Sequence, residues 1–455
     1  MKRADNIRPL HARTEALLRR LVRRDAEAAI RKVLATTRPE DIAAAMEHLT
    51  WAEQRRLYRV IEDQGYAADV LGFLSDQSAV EVTRSMTEDQ VVDLVNRMEP
   101  DDATDLVGLL PDALRDRVLE GLEGESAVHD LLRWPDDSAG GRMSPMVFRM
   151  PDTATCGQAI ATLQQQHSEL ATSHYVYIVD HQQGLVGVTS LRSLLTSPPG
   201  TPLVRIMTRE IITVAPTQDQ EEVARFVARY DLLAIPVVDE ARRILGVVTV
   251  DDVVDVIRSE AAEDMLLMAG VSEASDHGGI LQHGWRRAGW LLATIAGGVF
   301  ASEIIVSYES TLEEAAVLAG FIPVIMGIGG NVGIQSATVA VRGLTSGAIQ
   351  IQGALPFVWR EARIGVVLGL FFALMLGLYG YVRYTASDEA FIGPAVACSS
   401  LLAIAFASVI GSSLPIVFRR LNVDPAIATG PFVTTLVDIL GIAIYFNVAR
   451  WLIHS

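Results

Sequence analysis

Asp438 lies within Thr434-Thr435-Leu436-Val437-Asp438-Ile439-Leu440-Gly441, the middle of an apolar run near 427–451. A helix of about 20 residues spans a bilayer core, and this run is long enough to do so. A carboxylate at the centre of such a span costs at least ~2.5–3.5 kcal/mol on insertion scales, so it calls for a compensating partner. No basic residue lies within a turn or two, and Arg450 is about three turns on. A cation in a water-filled pathway would compensate the charge. A protonated Asp438, or one bonded to Asn331, is the structural alternative. One carboxylate per chain is a poor cage for a bare ion but suits a hydrated one, and Mg²⁺ sheds its waters reluctantly. Two chains about a twofold axis would set two Asp438 groups around one pathway. Thr434, one turn earlier, could add a hydroxyl or a backbone carbonyl.

A second set of acids forms a run, Asp251-Asp252-Val253-Val254-Asp255 through Glu260, Glu263 and Asp264. As a helix it gathers Asp251, Asp252 and Asp255 near one face, with the three later acids about two turns on. Like charges at i, i+3 and i, i+4 repel unless something neutralises them. A solvated acidic face is one explanation, and divalent cations bridging this helix to another acidic domain are the other. The wider charge distribution favours asking the question. Residues 33–284 carry 42 acids against 19 bases, a net −23, whereas residues 285–455 hold nine of each. Residues 1–32 are basic, with ten Lys/Arg against four acids. The chain's net charge of −17 argues against a nucleic-acid partner. Cys156 and Cys398 lie far apart, which excludes a disulfide scaffold and a zinc module.

Five apolar stretches can position Asp438, near 286–307, 315–341, 358–382, 390–418 and 427–451. Arg286, Arg287, Arg342, Arg360, Arg363, Arg419 and Arg420 fall on one side of the resulting bundle, and Arg383 and Arg450 on the other. Basic residues favour the cytoplasmic side, so the N-terminal half is expected in the cytosol and the C-terminus outside. The second stretch contains Pro323-Val324-Ile325-Met326-Gly327-Ile328-Gly329-Gly330-Asn331-Val332-Gly333-Ile334-Gln335. Its glycines permit close helix approach, and Pro323 should leave a backbone carbonyl without its donor. Asn331 and Gln335 share a face expected to look at protein or water, as pore lining or as helix–helix contacts. The first residues, Met1 to Arg24, have no apolar core and do not read as a signal peptide. They read as an amphipathic helix, with Leu17, Leu18, Leu21 and Val22 on one side and arginines around them. That helix suits either a membrane surface or packing on the acidic domain.

Residues 143–258 contain a duplication. Met143-Ser144-Pro145 answers Met207-Thr208-Arg209, and Val179-Asp180 and Gly187-Val188-Thr189-Ser190 answer Val238-Asp239 and Gly246-Val247-Val248-Thr249. Each copy reads as a helix (Gly157–Glu169; Asp219–Tyr230), two short strands and a helix. This resembles a tandem cystathionine-β-synthase (CBS) pair, a regulatory module that often binds adenine nucleotides. The resemblance implies a Thr-x-x-Asp after the last strand that can hold a ribose. Thr249 and Asp252 fit this in the second copy, whereas the first has Ser190 and Ser193, so at most one ATP-type site is intact. Residues 33–135 read as all-helical with a fainter repeat. Pro39-Glu40-Asp41 recurs as Pro100-Asp101-Asp102, which suggests a superhelix of hairpins with acidic tips and no catalytic constellation.

Taken together, the expected architecture is a multidomain membrane protein. It has a basic helix (1–32), an all-α acidic superhelical domain (33–137), an α/β CBS pair (138–200 and 201–258), an acidic connecting helix (250–275) and a five-helix transmembrane domain (285–455). This order resembles the MgtE family of magnesium channels. The marks are Pro323-x3-Gly327-x-Gly329-Gly330-Asn331-x-Gly333-x-Gln335, Asp424-Pro425-Ala426 and Pro431-x2-Thr434-x3-Asp438. The resemblance implies a homodimer with the ion pathway between protomers, hydrated Mg²⁺ at Asp438 helped by the backbone at Thr434, and Asp424 at the cytosolic mouth. It also implies that the connecting helix plugs the pore when cytosolic Mg²⁺ is high. The acids cross-linked by the ion would be Asp101 and Asp105, then Asp219, Glu221 and Asp231, then Asp252, Asp255, Glu260, Glu263 and Asp264. Two positions depart from the family. Gly430 replaces a frequent Asn, and Leu232 stands where some members place an aromatic against adenine, which counts against ATP. The expected function is Mg²⁺ import across the inner membrane by a non-enzyme, with Co²⁺, Ni²⁺ and Mn²⁺ as further candidate ions. The rival readings are a divalent-cation transporter coupled to H⁺ or Na⁺, and a membrane-anchored adenylate sensor.

Overall fold

The computed structural model describes residues 16–62, 66–122, 127–165, 174–271, 280–349, 353–384 and 391–454. Three expectations therefore fall partly outside it: the first fifteen residues of the basic helix, residues 166–169 of the first CBS helix and residues 272–275 of the connecting helix. The chain divides into two compact units, Met1–Arg258 and Ser259–Ser455.

In the first unit a helix over 16–23 leads into nine short helices between Glu27 and Leu131. Pro39 and Pro100 each occupy the first turn of their helix, where the missing N–H costs nothing. Glu40 and Asp41, and Asp101 and Asp102, follow in those same first turns, where the positive end of the helix dipole favours carboxylates. Thr50 and Thr87 close capping boxes with Glu53 and Gln90. Ile30, Ile42, Leu57, Ile61, Val70, Val91, Val107 and Val118 are buried to within a per cent of completely, forming one continuous core under the superhelix.

The duplication folds as two strand–helix units that exchange their opening segments. In the first copy β1 (Arg149–Pro151) runs parallel to β2 (Tyr175–Val179), which pairs antiparallel with β3 (Leu185–Ser190). In the second, β4 (Ala234–Val238) pairs antiparallel with β5 (Ile244–Thr249). Ser144, opening copy one, exchanges backbone hydrogen bonds of 2.8 and 2.9 Å with Val247 in β5. Thr208, opening copy two, makes the matching pair with Val188 in β3, at 2.8 and 3.0 Å. Met143 and Met207 pack where a Cβ on Gly246 and Gly187 would sit, so neither strand position can carry a side chain without repacking. The matching motifs are thus the two ends of a pseudo-symmetric swap.

The connecting helix runs unbroken from Val250 to Met268 and ends as Gly270 takes a left-handed conformation (φ 70°). Among the described residues of the second unit five helices are long and apolar enough to cross a membrane: Ala288–Ser307, Ala316–Thr345, Ala354–Tyr384, Ile392–Arg420 and Pro425–Ile453. The second and fifth open with 3₁₀ turns, Ala316–Phe321 and Pro425–Thr429. This corrects the expectation for Pro323. It stands in the first turn of the α-helix Ile322–Thr345, where no interior hydrogen bond exists to be lost. Pro415, inside the fourth helix, is the proline that does interrupt a ladder.

Candidate functional site

Asp438 sits midway along the membrane-length span Pro425–Ile453, half-buried, on the side turned toward the glycine run of the second spanning helix. A Cβ on Gly330 would lie 3.9 Å from Asp438 Oδ1 and 4.0 Å from the Thr434 methyl. Gly329 and Gly333 receive Val433 and Val437 in the same way. The glycines therefore serve close approach of the two helices, and the carboxylate faces bare backbone rather than a side chain. Among the described residues Asp438 has no hydrogen bond or ion pair. Asn331, offered as its structural partner, is not bonded to it. Asn331 and Gln335 share an exposed face of the second helix that its own chain leaves uncovered. The Thr434 hydroxyl donates to Pro431 O at 3.1 Å, which leaves its lone pairs free. Asp424 is exposed and caps the following 3₁₀ turn, its Oδ1 accepting from the Ala426 N–H at 2.7 Å.

The end of the connecting helix reaches the start of this fifth helix. Gly270 lies against the Pro431 ring, and a Cβ on Gly430 would stand 3.2 Å from Met268 O and 3.4 Å from Gly270 N. A larger residue at 430 would push against that carbonyl here. The departure at Gly430 thus accompanies close seating of the connecting helix one turn before Thr434.

A separate acidic site lies within the first unit. A cavity of about 400 Å³ is lined by Glu40, Asp69, Glu99, Asp101, Asp102, Asp251 and Asp252, with Pro39, Ala68, Phe73, Met98, Ser144 and Thr249 completing its wall. The first turns of two helical-domain helices, the start of the connecting helix and the opening of CBS copy one all converge on it. Crowding of carboxylates away from water raises their proton affinity. Asp102 is pushed up to about 7, by burial first and then by Asp101 and Glu99. Asp252 is pushed up to about 6 by burial, opposed by its bonds to Thr249 and reinforced by Asp101. Glu99 and Asp101 also rise, chiefly through burial. Oδ1 of Asp101 is fully buried with no hydrogen-bond partner among the described residues. Asp105 stands beside the cavity. Burial raises it to about 6 although Arg142 lies 3.2 Å away. Arg142 also donates to Gln220 Oε1 at 3.0 Å, which ties the helical part to CBS copy two.

Among the described residues no three His, Cys, Asp or Glu side chains converge closely enough to cage a bare metal ion. A cation held at either site would have to keep part of its water shell. Of the acids named from the sequence, the cavity gathers Asp101 and Asp252, with Asp105 adjacent. It does not gather Asp219, Glu221 or Asp231. Asp219 caps its helix through the N–H groups of Glu221 and Glu222 at 2.9 and 3.3 Å, Glu221 faces Arg225 at 3.9 Å, and Asp231 is the left-handed C-cap (φ 51°). Asp255 is exposed and pairs with Arg258 at 3.4 Å. Glu260, Glu263 and Asp264 follow on the same helix in the second unit, each with a partner of its own. Sequence reasoning missed Glu40, Asp69, Glu99 and Asp102 as site residues. The recurrence of Pro-acid-acid at helix starts was the available signal, since it marks two of the converging first turns.

Thr249 and Asp252 are bonded to each other, hydroxyl and backbone N–H to one carboxylate oxygen, which caps the connecting helix. The cleft between the CBS copies beside Thr249, lined by Tyr175, Tyr177, His174 and Val247 among others, holds only about 10 Å³ of free space, room for one water.

Residues 322–448 match the MgtE family, described as a divalent cation transporter; residues 37–137 match the MgtE intracellular N domain and residues 204–259 the CBS domain. Over 442 residues the chain is 34% identical to the magnesium transporter MgtE of Thermus thermophilus, covering 94% of this chain and 96% of that one. It is 36% identical over 332 residues to the Bacillus subtilis magnesium transporter MgtE, 72% of each chain. The crystal structure of the cytosolic domain of the Mg²⁺ channel MgtE in complex with ATP is 30% identical and superposes with a TM-score of 0.50, covering 53% of this chain and 99% of that one. With similarity running over nearly the whole length of both proteins, from the acidic helical domain through the helix that carries Asp438, the chain belongs to the MgtE family.

Proposed function

We propose that the protein moves Mg²⁺ across the membrane as a homodimer, importing it into the cytosol of the cell and closing when cytosolic Mg²⁺ is high. The observation that carries the transport reading is Asp438, a half-buried carboxylate with no partner among the described residues, in the middle of a spanning helix and facing the bare backbone at Gly330. An uncompensated charge at that depth is costly unless a cation occupies the pathway, and a tether would need none. Hydrated Mg²⁺ fits because a single carboxylate and a neighbouring hydroxyl leave its water shell in place. Asp438 and Thr434 would bind the ion, Asn331 and Gln335 would line its path, and Asp424 would stand at the cytosolic mouth. In this reading the N-terminal half lies in the cytosol and the C-terminus outside the inner membrane.

Closure rests on the acidic cavity. With no ion present, the carboxylates of Glu99, Asp101, Asp102 and Asp252 repel one another across the junction of the helical domain, the CBS pair and the connecting helix. Mg²⁺ bound there, and by Asp105, Asp219, Glu221, Asp231, Asp255, Glu260, Glu263 and Asp264 on the neighbouring surfaces, would draw these elements together and hold the helix end against Gly430 and Pro431. The ion closes the protein only if it binds the closed arrangement more tightly than the open one. A nucleotide at Thr249 and Asp252 would have to open the CBS cleft first. Co²⁺, Ni²⁺ and Mn²⁺ are further candidate cargoes.

The test is Mg²⁺ flux into proteoliposomes, wild type beside Asp438→Ala, at low and at millimolar Mg²⁺ on the cytosolic face. Flux lost in Asp438→Ala and suppressed by cytosolic Mg²⁺ is the expected result. Flux that persists without Asp438 overturns the pathway. Flux that needs a proton or sodium gradient assigns coupled transport instead.

A further inference from the structure

The basic segment at the start of the chain is the one strongly charged feature that transport and gating leave unused. In the helix over 16–23, Leu18 and Val22 are fully buried against the superhelix core. At 3.6 residues per turn, Arg19, Arg20, Arg23 and Arg24 then fall within roughly 140° of the opposite face. All four are exposed. Arg23 is held by Glu53 at 2.7 Å, while Arg19, Arg20 and Arg24 have no ion pair among the described residues. These side chains, with Ala16, enclose an open recess of about 380 Å³ that no acidic side chain lines among the described residues. It is the reverse of its surroundings, since residues 33–284 carry a net −23.

We propose that this arginine face docks on the anionic phospholipid headgroups of the membrane the same chain crosses. Three observations select that occupant. Guanidinium groups bind phosphate through paired N–H donors, and an open recess lined by four arginines and Ala16 matches phosphate groups in charge. Among the described residues the patch lacks the apolar, aromatic centre on which protein interfaces are built; Leu17, 44% exposed, is the large apolar side chain beside it. The chain that carries the first unit also carries five helices long and apolar enough to cross a membrane, so an anionic leaflet is always within the chain's reach, and a body whose residues 33–284 carry a net −23 is attracted to such a leaflet through this basic face. The helix would therefore anchor and orient the first unit. This inference does not depend on which ion the membrane domain carries.

The full chain is reconstituted in nanodiscs, with an environment-sensitive dye on Leu17→Cys in a Cys398→Ala background and a headgroup quencher in the lipid. With about 30% phosphatidylglycerol the dye is expected to be quenched, and in pure phosphatidylcholine it is not. Each arginine near an anionic surface contributes about fivefold to the association, so Arg19→Gln, Arg20→Gln and Arg24→Gln together weaken it on the order of 100-fold. Raising salt to about 0.5 M should abolish the quenching as well. An unchanged melting profile shows that the triple variant is folded, since Leu18, Val22 and the Arg23–Glu53 pair are untouched. Equal quenching in both lipids, or none in either, overturns the proposal. Loss of quenching on adding inorganic phosphate at constant ionic strength overturns it in favour of a soluble phosphate ligand. Energy transfer between labels on two copies in phosphatidylcholine that falls when the three arginines are replaced overturns it in favour of the partner's acidic surface.

Discussion

If the acidic cavity is the cytosolic Mg²⁺ sensor, protons must compete with the ion there, and the size of that competition follows from the structure. Asp102 titrates near 7 and Asp252 near 6 within the cavity, and Asp105 near 6 beside it. At pH 6 these three groups hold about two protons between them, and at pH 7.5 about 0.3. An ion that binds the ionised carboxylates must displace those protons, so apparent affinity rises by about 30-fold from pH 6 to pH 7.5. Asp102 and Asp105 keep much of their own surface in solvent at the cavity mouth, and screening brings the conservative expectation to about tenfold. Asp102→Asn removes the group with the largest proton load and should leave a change of about fourfold. The assay is Mg²⁺ titration of the full chain by calorimetry, with proton release followed in weak buffer, in an Asp438→Asn background so that the membrane carboxylate does not contribute. An affinity independent of pH, or no proton release at pH 6, would refute a sensor built on these carboxylates.

The same groups set the sign of a stability effect. Their folded values lie above the ordinary carboxylate range, so the folded state holds extra protons, and the stabilisation is lost as pH rises from about 4 through about 7. Without divalent cations the melting transition of the first unit should therefore fall between pH 6 and pH 7.5, and saturating Mg²⁺, which leaves the carboxylates ionised at both pH values, should abolish that difference. Glu53 is shifted the other way, to about 2, first by its bond to Arg23; its contribution is lost only as pH falls below the ordinary Glu range and does not intrude. In the membrane unit, a Cβ on Gly411 would fall on the carbonyl oxygen of Gly333, so Gly411→Ala must part the second and fourth helices. A cost of about 1–3 kcal/mol is expected, read as a lower unfolding midpoint in detergent. Gly441→Ala, with nothing within 4 Å of its Cβ, should stay within about 0.5 kcal/mol of wild type.

The five spanning helices, the helical domain and the CBS duplication were legible because each rests on a local signal: apolar length, helical spacing, or a repeated motif. What was not legible depends on which segments meet. The copies of the duplication could be aligned from Met143 and Met207, but nothing in either copy says that each opening segment crosses to the other's last strand. The contact that enforces it, methionine on glycine, joins residues far apart in sequence. Pro323 was misread for a related reason. Its effect depends on where the α-helix begins, and the 3₁₀ turn before it moves that start to Ile322. The acids of the cavity come from separate helix starts, each explained locally by the dipole of its own helix, so their convergence is invisible until the superhelix closes.

The two carboxylate settings also explain why one was easier to find than the other. Asp438 is conspicuous because its surroundings are apolar, and a single charge in a spanning helix demands an explanation by itself. The cavity acids lie in a domain where acids are common, and the geometry rather than the composition separates them from a solvated surface. Capping accounts for Asp219 and Asp424, and ion pairs for Asp255 and Glu221. Capping and pairing fail to account for Glu99 and Asp102, for the buried Oδ1 of Asp101, and for the half-buried Asp252 that Thr249 only partly satisfies. Repulsion left uncancelled by the fold is what a bound cation can cancel. The surplus sits where the helical domain, the CBS pair and the root of the connecting helix meet, which is where an ion could change the position of that helix.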